Sequence, residues 1–470
     1  MFATGERLLS EALSELGFDD ESLLSPTSKL CTLNTLPWKR SEIVELPSAH
    51  PQKYGLAHGD GLSTMSIRPL ASAYSAATAS IAETSPGTFE LRNAQYIVKV
   101  TDGVITSLYD IKAERELIPK DKKAAQLVIY DDKPLYWQAW DVEVYHLKSR
   151  QELTPNKVYI SSCDAAKVSL TIETKISDKS WISTKLSLPA AIGDSPSAIE
   201  IEAEIEWQET MKFLKVEFPV DITNTEASYE TQYGIVRRPT HYNTSWDMAK
   251  FEVCVHKWAD LSEATYGVSI LNDSKYGFAV AGNVMRLSLV RAPKAPDAHA
   301  DMGRHHTKYA IFPHAGPLTH ATVRKAFEFN NPLRIIGHRA PSTAADLAGQ
   351  RVDAGKLGVL PTFQIIGADN LVLDTIKRGE DDEDVSRGEL PVKKGHNVIV
   401  RVYDAMGGKS KAVLSWGDFR VKKVVKTNAL EDEEEDLSAD IIGAGSGEGN
   451  GVKIEVRAFE VGTYKLVFED

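Results

Sequence analysis

The sequence has few cysteines, no long apolar run and no excess of basic residues. Its three cysteines, Cys31, Cys163 and Cys254, lie far apart and form no CxxC pair. That spacing excludes a disulfide framework and a paired-cysteine zinc motif. No apolar run reaches the roughly 18 residues that a membrane-spanning helix needs. The formal net charge of −12 argues against a nucleic-acid-binding protein, which requires a basic surface.

The common sequence signatures of catalysis are also missing. The chain contains no G-x-S-x-G, no P-loop and no G-x-G-x-x-G motif after a strand. The first residues do not predict a signal peptide, because Glu6, Glu11 and Glu15 interrupt any apolar core. We therefore expect no membrane partner.

What the sequence does contain is a dense series of strand patterns. Residues 199–207, IEIEAEIEW, alternate strictly between apolar and acidic side chains, as a half-buried strand does. Asp102-Gly103 between two alternating runs is a strong hairpin signal. Long helical patterns are rare after residues 2–16, where Leu9, Leu13 and Leu16 form one apolar stripe. The fold class is thus mainly β, with large antiparallel sheets packed as a sandwich.

Turn-rich and small-residue stretches suggest where domains begin and end. The sequence predicts a terminal helix at 1–27, a small β domain and linker at 28–86, a large β-sandwich at 87–335 and a second, smaller sandwich at 336–470. Two acidic runs, Glu380–Asp384 and Glu431–Asp436, are typical of solvated loops.

The stretch from Tyr233 to Gly316 is unusually rich in polar and aromatic residues, which marks either a site or a large buried interface. Histidine and aspartate are ordinary zinc ligands. Adjacent residues on a strand point to opposite faces, however, so we expect a hydrogen-bonded network rather than a metal site. The residues concerned are Asp301, His305, His306 and His314. The pair His58 and Asp60, an H-x-D flanked by glycine, is predicted to lie in a loop.

Trp137, Trp140 and Asp141 form the third candidate group. Aromatic faces beside a carboxylate suit sugars, because C–H groups stack on the rings while the acid accepts hydroxyl hydrogen bonds. The alternative is that the two tryptophans simply cover the edge of a sandwich.

Several stretches, in this order, resemble the C-terminal half of class II α-mannosidases, glycoside hydrolase family 38, and particularly its fungal vacuolar-type branch. They include LNTLPWKR (33–40), WQAWDVE (137–143), YGIVRRP (233–239), YGVSILNDSKYG (266–277), LSLVRAP (287–293), DMGRHHTKYAIFPHAG (301–316) and VRVYDAMGG (400–408).

The resemblance implies a galactose-mutarotase-like supersandwich followed by a smaller sandwich, with the N-terminal helix left from a helical bundle. In the family, a separate N-terminal α/β domain holds the zinc ion and the carboxylate nucleophile. The motifs of that domain do not occur here, so the resemblance implies a fragment without catalytic residues or zinc, inactive alone. Its expected partners are that N-terminal catalytic half, mannose-containing oligosaccharides and further copies of the chain. The resemblance also implies a location in the vacuole or the cytoplasm.

The same resemblance suggests which side chains lie near the substrate cleft of the complete enzyme. The candidates are Trp137, Trp140, Asp141, Arg237 and Arg238. It also implies a structural role for the Asp301, His305, His306 and His314 signature. Two other functions stay open on the residues alone: a free-standing carbohydrate-binding sandwich, and an interaction protein that docks through its N-terminal helix.

Overall fold

The computed structural model of the chain describes residues 2–15, 18–19, 23, 29–59, 64–66, 68–69, 78–193, 195–338, 363–381, 397–417, 419–443 and 450–469. Antiparallel sheets account for most of its regular structure, which confirms the predicted fold class. Contacts divide the chain into two units, 71–330 and 1–70 with 331–470. The sequence pattern had suggested 87–335 for the large sandwich.

The N-terminal part of the second unit combines one helix with short strands. These are α1 (Phe2–Glu15), β1 (Phe18–Asp19), β2 (Lys29–Leu33), β3 (Arg40–Glu45), β4 (Tyr54–Gly59), β5 (Thr64–Ser66) and β6 (Arg68–Pro69). The predicted apolar stripe of α1 packs against its own unit, because Leu13 is buried against Phe18 and Ile336. Leu16, the third residue of that stripe, lies outside the described residues.

The 71–330 unit is built from three antiparallel sheets. Its strands are β7 (Ser80–Ser85), β8 (Thr88–Arg92), β9 (Tyr96–Thr101), β10 (Val104–Asp110), β11 (Arg115–Glu116), β12 (Gln126–Asp131), β13 (Gln151–Glu152), β14 (Lys157–Asp164), β15 (Lys167–Lys175), β16 (Trp181–Pro189), β17 (Ile199–Trp207), β18 (Lys212–Pro219), β19 (Glu226–Thr231), β20 (Gly234–Pro239), β21 (Val253–Cys254), β22 (Trp258–Ser262), β23 (Tyr266–Asn272), β24 (Gly277–Ala281), β25 (Val284–Arg291) and β26 (Gly303–Ala315). A 3-10 helix (Val144–Ser149), α2 (Ser245–Met248) and α3 (His320–Asn330) connect them.

The three sheets share one apolar core. Their strand orders are β11-β10-β9-β8-β7, β13-β12-β18-β25-β24-β21 and β14-β15-β16-β17-β26-β23-β22-β19-β20. The alternation in β17 has the predicted consequence: its apolar residues, ending in the fully buried Trp207, face this core while its glutamates do not. Asp102 and Gly103 both adopt positive φ in a two-residue turn between β9 and β10, as the hairpin signal predicted.

A smaller sandwich occupies the C-terminal part of the chain. After β27 (Arg334–His338), which returns to pair with β1 and β2, its strands are β28 (Gln364–Ile366), β29 (Leu371–Arg378), β30 (Asn397–Asp404), β31 (Ser410–Ser415), β32 (Val421–Thr427), β33 (Glu433–Asp436), β34 (Ile441–Ile442), β35 (Gly451–Val456) and β36 (Val461–Phe468), with a 3-10 helix at Ser438–Asp440. They form two sheets, β28-β31-β35-β34 and β29-β30-β36-β32-β33. The predicted second sandwich is therefore present.

A buried carboxylate fixes one end of this sandwich. Asp404 has no exposed surface. Its oxygens accept hydrogen bonds from the backbone N–H groups of Gly407 at 2.7 Å, Gly408 at 2.9 Å and Phe459 at 2.9 Å, and from Asn370 Nδ2 at 2.6 Å. Because the donors come from three separate segments, this side chain at the end of β30 joins the turn before β29, the 405–409 turn and the turn before β36.

Two local predictions were wrong. His58 and Gly59 end strand β4 rather than lying in a loop, and His58 Nδ1 is 2.8 Å from Ser41 Oγ on the paired strand; Asp60 lies outside the described residues. The second acidic run is partly a strand, β33, whose Glu433 pairs with Lys423 of β32 at 3.0 Å. Neighbouring lysines reduce the repulsion that predicted a loop. In the described part of the chain, no helix has the length and apolarity to cross a membrane.

A buried polar cluster ties β26 to β22 and β23 in the 71–330 unit. His314 Nε2 lies 2.7 Å from Asp260 Oδ2, and Ser269 Oγ donates to the same carboxylate oxygen at 2.7 Å. Gly267 is the register partner of His314 and lies against its ring. A Cβ at position 267 would also lie 2.6 Å from Ser262 Cβ, so only glycine fits here.

We predict that Gly267→Ala destabilises the 71–330 unit by about 1–3 kcal/mol, because the added methyl group overpacks a fixed histidine ring. Urea unfolding followed by fluorescence measures the change. Gly443→Ala is the control, since nothing lies within 4 Å of its Cβ position. Equal midpoints for both variants would contradict the proposed packing.

Candidate functional site

The outer face of the six-stranded sheet carries charged side chains that are nevertheless buried. On β18, Leu214 and Val216 face the apolar core, whereas Lys215 and Glu217 point the other way. Lys215 has no exposed surface and Glu217 is 5% exposed. Two long connections, 132–150 and 240–252, supply the groups that bury this face.

Lys215 is held by an ion pair with the second of these connections. Its Nζ donates to Glu252 Oε2 at 2.5 Å and lies 4.3 Å from the centre of the Phe213 ring. The other Glu252 oxygen accepts a short hydrogen bond from Ser288 Oγ. Burial lowers the pKa of Lys215, and the Glu252 carboxylate opposes that shift.

Glu217 is the second buried charge and joins the first connection to the sheet. It accepts hydrogen bonds from Arg150 Nη2 at 2.7 Å, Arg286 Nε at 2.8 Å and the Tyr130 hydroxyl at 3.0 Å. Burial would raise the pKa of Glu217, but the two arginines outweigh it and hold the pKa below its ordinary value. The carboxylate is therefore charged and fully paired.

Arg291, at the end of β25, fixes the start of the first connection. Its Nε donates to Asp132 Oδ2 at 2.7 Å, and its Nη2 donates to the backbone carbonyls of Asp141 at 2.7 Å and Gln138 at 3.0 Å. The Gln138 side chain in turn accepts from the Lys294 N–H at 2.8 Å. Three contacts from one planar guanidinium define the conformation of residues 137–141.

Above these buried charges, the two connections present large apolar side chains to solvent. Trp140 is 89% exposed and Trp246 is 80% exposed. A capping box between Thr244 and Asp247 stabilises the short helix α2 that carries Trp246. We name the aromatic surface after its exposed members, which are Leu135, Tyr136, Trp137, Trp140, Tyr145, Trp246 and Met248. Large exposed apolar side chains on two connections that cover the same sheet face are typical of an interaction or ligand surface.

A cavity of about 320 Å³ borders both connections, through Val142 of the first and Glu252 of the second, and we refer to it as the first cavity. Hydrogen-bonding groups of both kinds and a few apolar groups line it, among them Val142, Phe213, Glu252, Lys275, Tyr276, Arg291, Asp301 and His305. Burial lowers the pKa of Lys275 despite the nearby Asp273 and Asp301 carboxylates. Among the residues that the structure describes, Lys275 has no ion-pair partner. Its ammonium group is thus available to a ligand.

The structure brings together only some of the residues singled out in the sequence. Trp137 and Trp140 belong to the aromatic surface, and the backbone of Asp141 is held by Arg291. Asp301 and His305 line the first cavity. Arg237 and Arg238 lie on β20, at the edge of the nine-stranded sheet, and do not line that cavity.

The histidines serve separate places, and their donor set does not fit a zinc ion. His305 Nε2 is 2.7 Å from the Asp301 carbonyl, whereas the neighbouring His306 pairs with Glu202 at 2.8 Å on the other face of the sheet. His314 is committed to Asp260. In the parts of the chain that the structure describes, no three His, Cys, Asp or Glu side chains converge as metal ligands would.

Sequence reasoning missed the groups that organise this region. Lys215 and Glu217 occur in an alternating strand, and alternation predicts that such side chains face water. Their burial depends on connections distant in sequence, such as Glu252. Lys275 and Tyr276 follow an Asn-Asp turn, and the sequence pattern predicts only that turn, not a role in a cavity.

Two family models match this chain. Residues 91–299 match the glycosyl hydrolases family 38 C-terminal domain, and residues 370–464 match the glycosyl hydrolases family 38 C-terminal beta sandwich domain. Both matched regions are thus C-terminal β domains of one class of glycosyl hydrolase. The chain therefore belongs to glycosyl hydrolase family 38, whose class II α-mannosidases it resembles in their C-terminal portion.

Individual relatives agree with this assignment. The chain is 44% identical over 376 residues to an α-mannosidase of Saccharomyces cerevisiae, covering 78% of this chain and 33% of that protein. It is 34% identical over 398 residues to human alpha-mannosidase 2C1, covering 80% and 34% respectively. The chain thus spans about a third of the length of these relatives. An α-mannosidase structure from Enterococcus faecalis V583 has the same fold, with a TM-score of 0.61 at 14% identity over 94% of this chain and 51% of that one.

We predict strong energetic coupling between Lys215 and Glu252. Lys215→Met leaves a largely buried carboxylate with only the Ser288 hydroxyl as a donor, and Glu252→Gln leaves a buried ammonium without a counter-charge. Each substitution should therefore lower the free energy of unfolding by about 3–5 kcal/mol. The double variant should lose at least about 2 kcal/mol less unfolding free energy than the sum of the two single losses, because neither charge is then left without its partner. Urea unfolding of the four proteins gives the coupling, and simple additivity would show that the ion pair does not hold the second connection.

We predict that His146 makes the fold sensitive to acid. The ring is 4% exposed between Tyr130 and Phe213, and burial lowers the pKa of His146 from 6.5 to about 4. Between those values the unfolded chain binds a proton that the folded chain does not, so stability falls as pH decreases from 6.5 towards 4.

The matched variant for this test is His146→Asn, which can retain a donor to the Glu143 carbonyl that His146 Nδ1 approaches at 2.7 Å. Between pH 7 and pH 5, the original chain should lose about 2 kcal/mol more unfolding free energy than this variant. Identical losses in urea unfolding would mean that His146 is not buried in its neutral form.

Proposed function

We propose that this chain is the non-catalytic C-terminal portion of an α-mannosidase, an enzyme that removes terminal α-D-mannose residues from oligosaccharides. In this role it contributes no nucleophile and no zinc ligand, and it hydrolyses no mannoside alone. Zinc and the nucleophile are supplied by the N-terminal catalytic half of the family enzyme, in the vacuole or cytoplasm. Homo-oligomers and mannose-containing oligosaccharides are its other expected partners.

The observation that carries this proposal is the aromatic surface, fixed by buried charges beside a polar cavity. Rigid tryptophan faces stack on the C–H faces of sugars, and the first cavity offers both donors and acceptors for hydroxyl groups. A surface of this kind suits the wall of a cleft whose opposite side is another domain. In this proposal Trp137, Trp140 and Asp141 border the substrate, and Arg237 and Arg238 lie farther along the same unit.

A free-standing carbohydrate-binding sandwich is the second candidate, since the same aromatic surface favours it. Docking through an exposed N-terminal helix is less favoured, because Leu9 and Leu13 of α1 pack against Phe18 and Ile336 of its own unit. The non-catalytic portion of an α-mannosidase should gain mannosidase activity when the N-terminal half is added, whereas a free-standing carbohydrate-binding sandwich should not.

The test is hydrolysis of an aryl α-mannoside by the purified chain, with zinc added and with zinc chelated. We expect no turnover in either condition. Adding the separately produced N-terminal segment of the Saccharomyces cerevisiae relative should restore zinc-dependent turnover. Trp140→Ala should then lower kcat/KM by about tenfold, as expected when one stacked sugar contact is lost.

Trp181→Ala is the matched control, because Trp181 is a partly exposed tryptophan on β16, outside the aromatic surface. It should leave the restored turnover unchanged. Turnover by the chain alone would overturn the proposal. Failure of the N-terminal segment to restore activity, together with sugar binding by the chain, would instead support the free-standing binding module.

A further inference from the structure

A second cavity lies on the other side of Tyr276. It has a volume of about 290 Å³ and is lined by His256, Lys257, Asn272, Asp273, Tyr276 and Asn330. Tyr276, which is 55% exposed, also lines the first cavity, so the two cavities adjoin at this residue. The volume of the second cavity is close to the lower end of the range for small-molecule sites.

Hydrogen bonds hold the walls of the second cavity in place, and they leave several of its polar atoms without a partner. Asn272 Nδ2 donates to the His256 carbonyl at 2.6 Å, and Asn272 Oδ1 accepts from the Lys275 N–H at 2.8 Å. Asn330 Nδ2 donates to the Asn272 carbonyl at 3.1 Å. Lys257 is paired with Glu230 at 2.9 Å. A site fixed in this way loses little entropy when a ligand binds.

Several polar atoms at this cavity remain available. Within the described residues, the His256 ring nitrogens and the Tyr276 hydroxyl make no hydrogen bond. Asp273 uses Oδ1 for Ser274 and Thr307, which leaves Oδ2 as an acceptor. Asp273 Oδ2 is an acceptor, whereas the His256 ring and the Tyr276 hydroxyl can each donate and accept. Lys257, the lysine that lines this cavity, is already paired with Glu230. This chemistry suits neutral hydroxyl groups better than a phosphate.

The aromatic side chains give the site a stacking face. The Tyr276 ring meets the His256 ring edge to face, with centroids 5.6 Å apart and planes at 69°. The contact with His256 restrains the orientation of the exposed Tyr276 ring. Sugars stack C–H groups on such aromatic faces and form hydrogen bonds through their hydroxyl groups.

We propose that the second cavity is a further carbohydrate subsite, which binds another mannose residue of an oligosaccharide that reaches the first cavity across Tyr276. Tyr276 stacks on the sugar, while His256 and Asp273 Oδ2 bind its hydroxyl groups. The inference rests on the proposed function for the identity of the sugar. It adds chain-length specificity that resides in this chain rather than in a catalytic domain.

The test measures binding of an α-linked mannotriose and of methyl α-D-mannopyranoside to the whole chain by NMR titration. The His256 ring resonance, assigned with His256→Gln, should move on addition of mannotriose. Mannotriose should bind at least about tenfold more tightly than the monosaccharide, and Tyr276→Ala should abolish that difference. Tyr159→Ala is the matched control, since Tyr159 lies on edge strand β14 outside both cavities.

Each other result overturns the subsite. An unmoved His256 resonance, equal binding of the two sugars, or unchanged mannotriose binding in a folded Tyr276→Ala variant would each do so. Circular dichroism and thermal unfolding establish that the variants are folded. The proposed function is decided separately by the restored hydrolysis described above, so the two ideas can fail independently.

Discussion

A lysine ammonium without exposed surface imposes a strict condition on everything around it. Lys215 lies in the middle of a sheet strand, and its charge is tolerable only while Glu252 remains within hydrogen-bonding distance. Glu252 belongs to a connection between β20 and β21 that has little regular structure of its own. The requirement to pair the lysine therefore fixes that connection on the sheet, much as Glu217 and Arg150 fix the connection between β12 and β13.

This arrangement gives irregular segments the rigidity of the sheet beneath them. Flexible loops would lose entropy on binding and could not keep Trp137 and Trp140 exposed in a defined position. The Arg291 guanidinium prevents such movement by holding two backbone carbonyls of residues 137–141. The positions of the exposed tryptophans thus depend on the buried ion pairs. A mutation that removes one partner of such a pair would alter the aromatic surface even though no residue of that surface is substituted.

Much of the fold could be predicted because its signals are local. The alternation in residues 199–207 and the Asp102-Gly103 turn each specify a strand or a hairpin without help from the rest of the chain. The buried charges could not be predicted in the same way. Whether Lys215 faces water depends on residues 240–252, and no local pattern shows that they cover it. His58 and Gly59 illustrate the same limit, because the glycines on either side of Asp60 suggest a loop until the pairing of His58 with Ser41 is known.

The return of β27 to β1 and β2 has a consequence for synthesis on the ribosome. Strand β2 has its longest pairing with Arg334–His338, which is translated only after the whole 71–330 unit. The 71–330 unit is continuous in sequence and can complete its core as soon as it emerges, whereas β2 must wait. During that interval the apolar side of β2, including Leu33, lacks its packing partner Ile336. Strand β2 therefore keeps an unpaired edge, open to chaperones and to aggregation, until β27 has been synthesised.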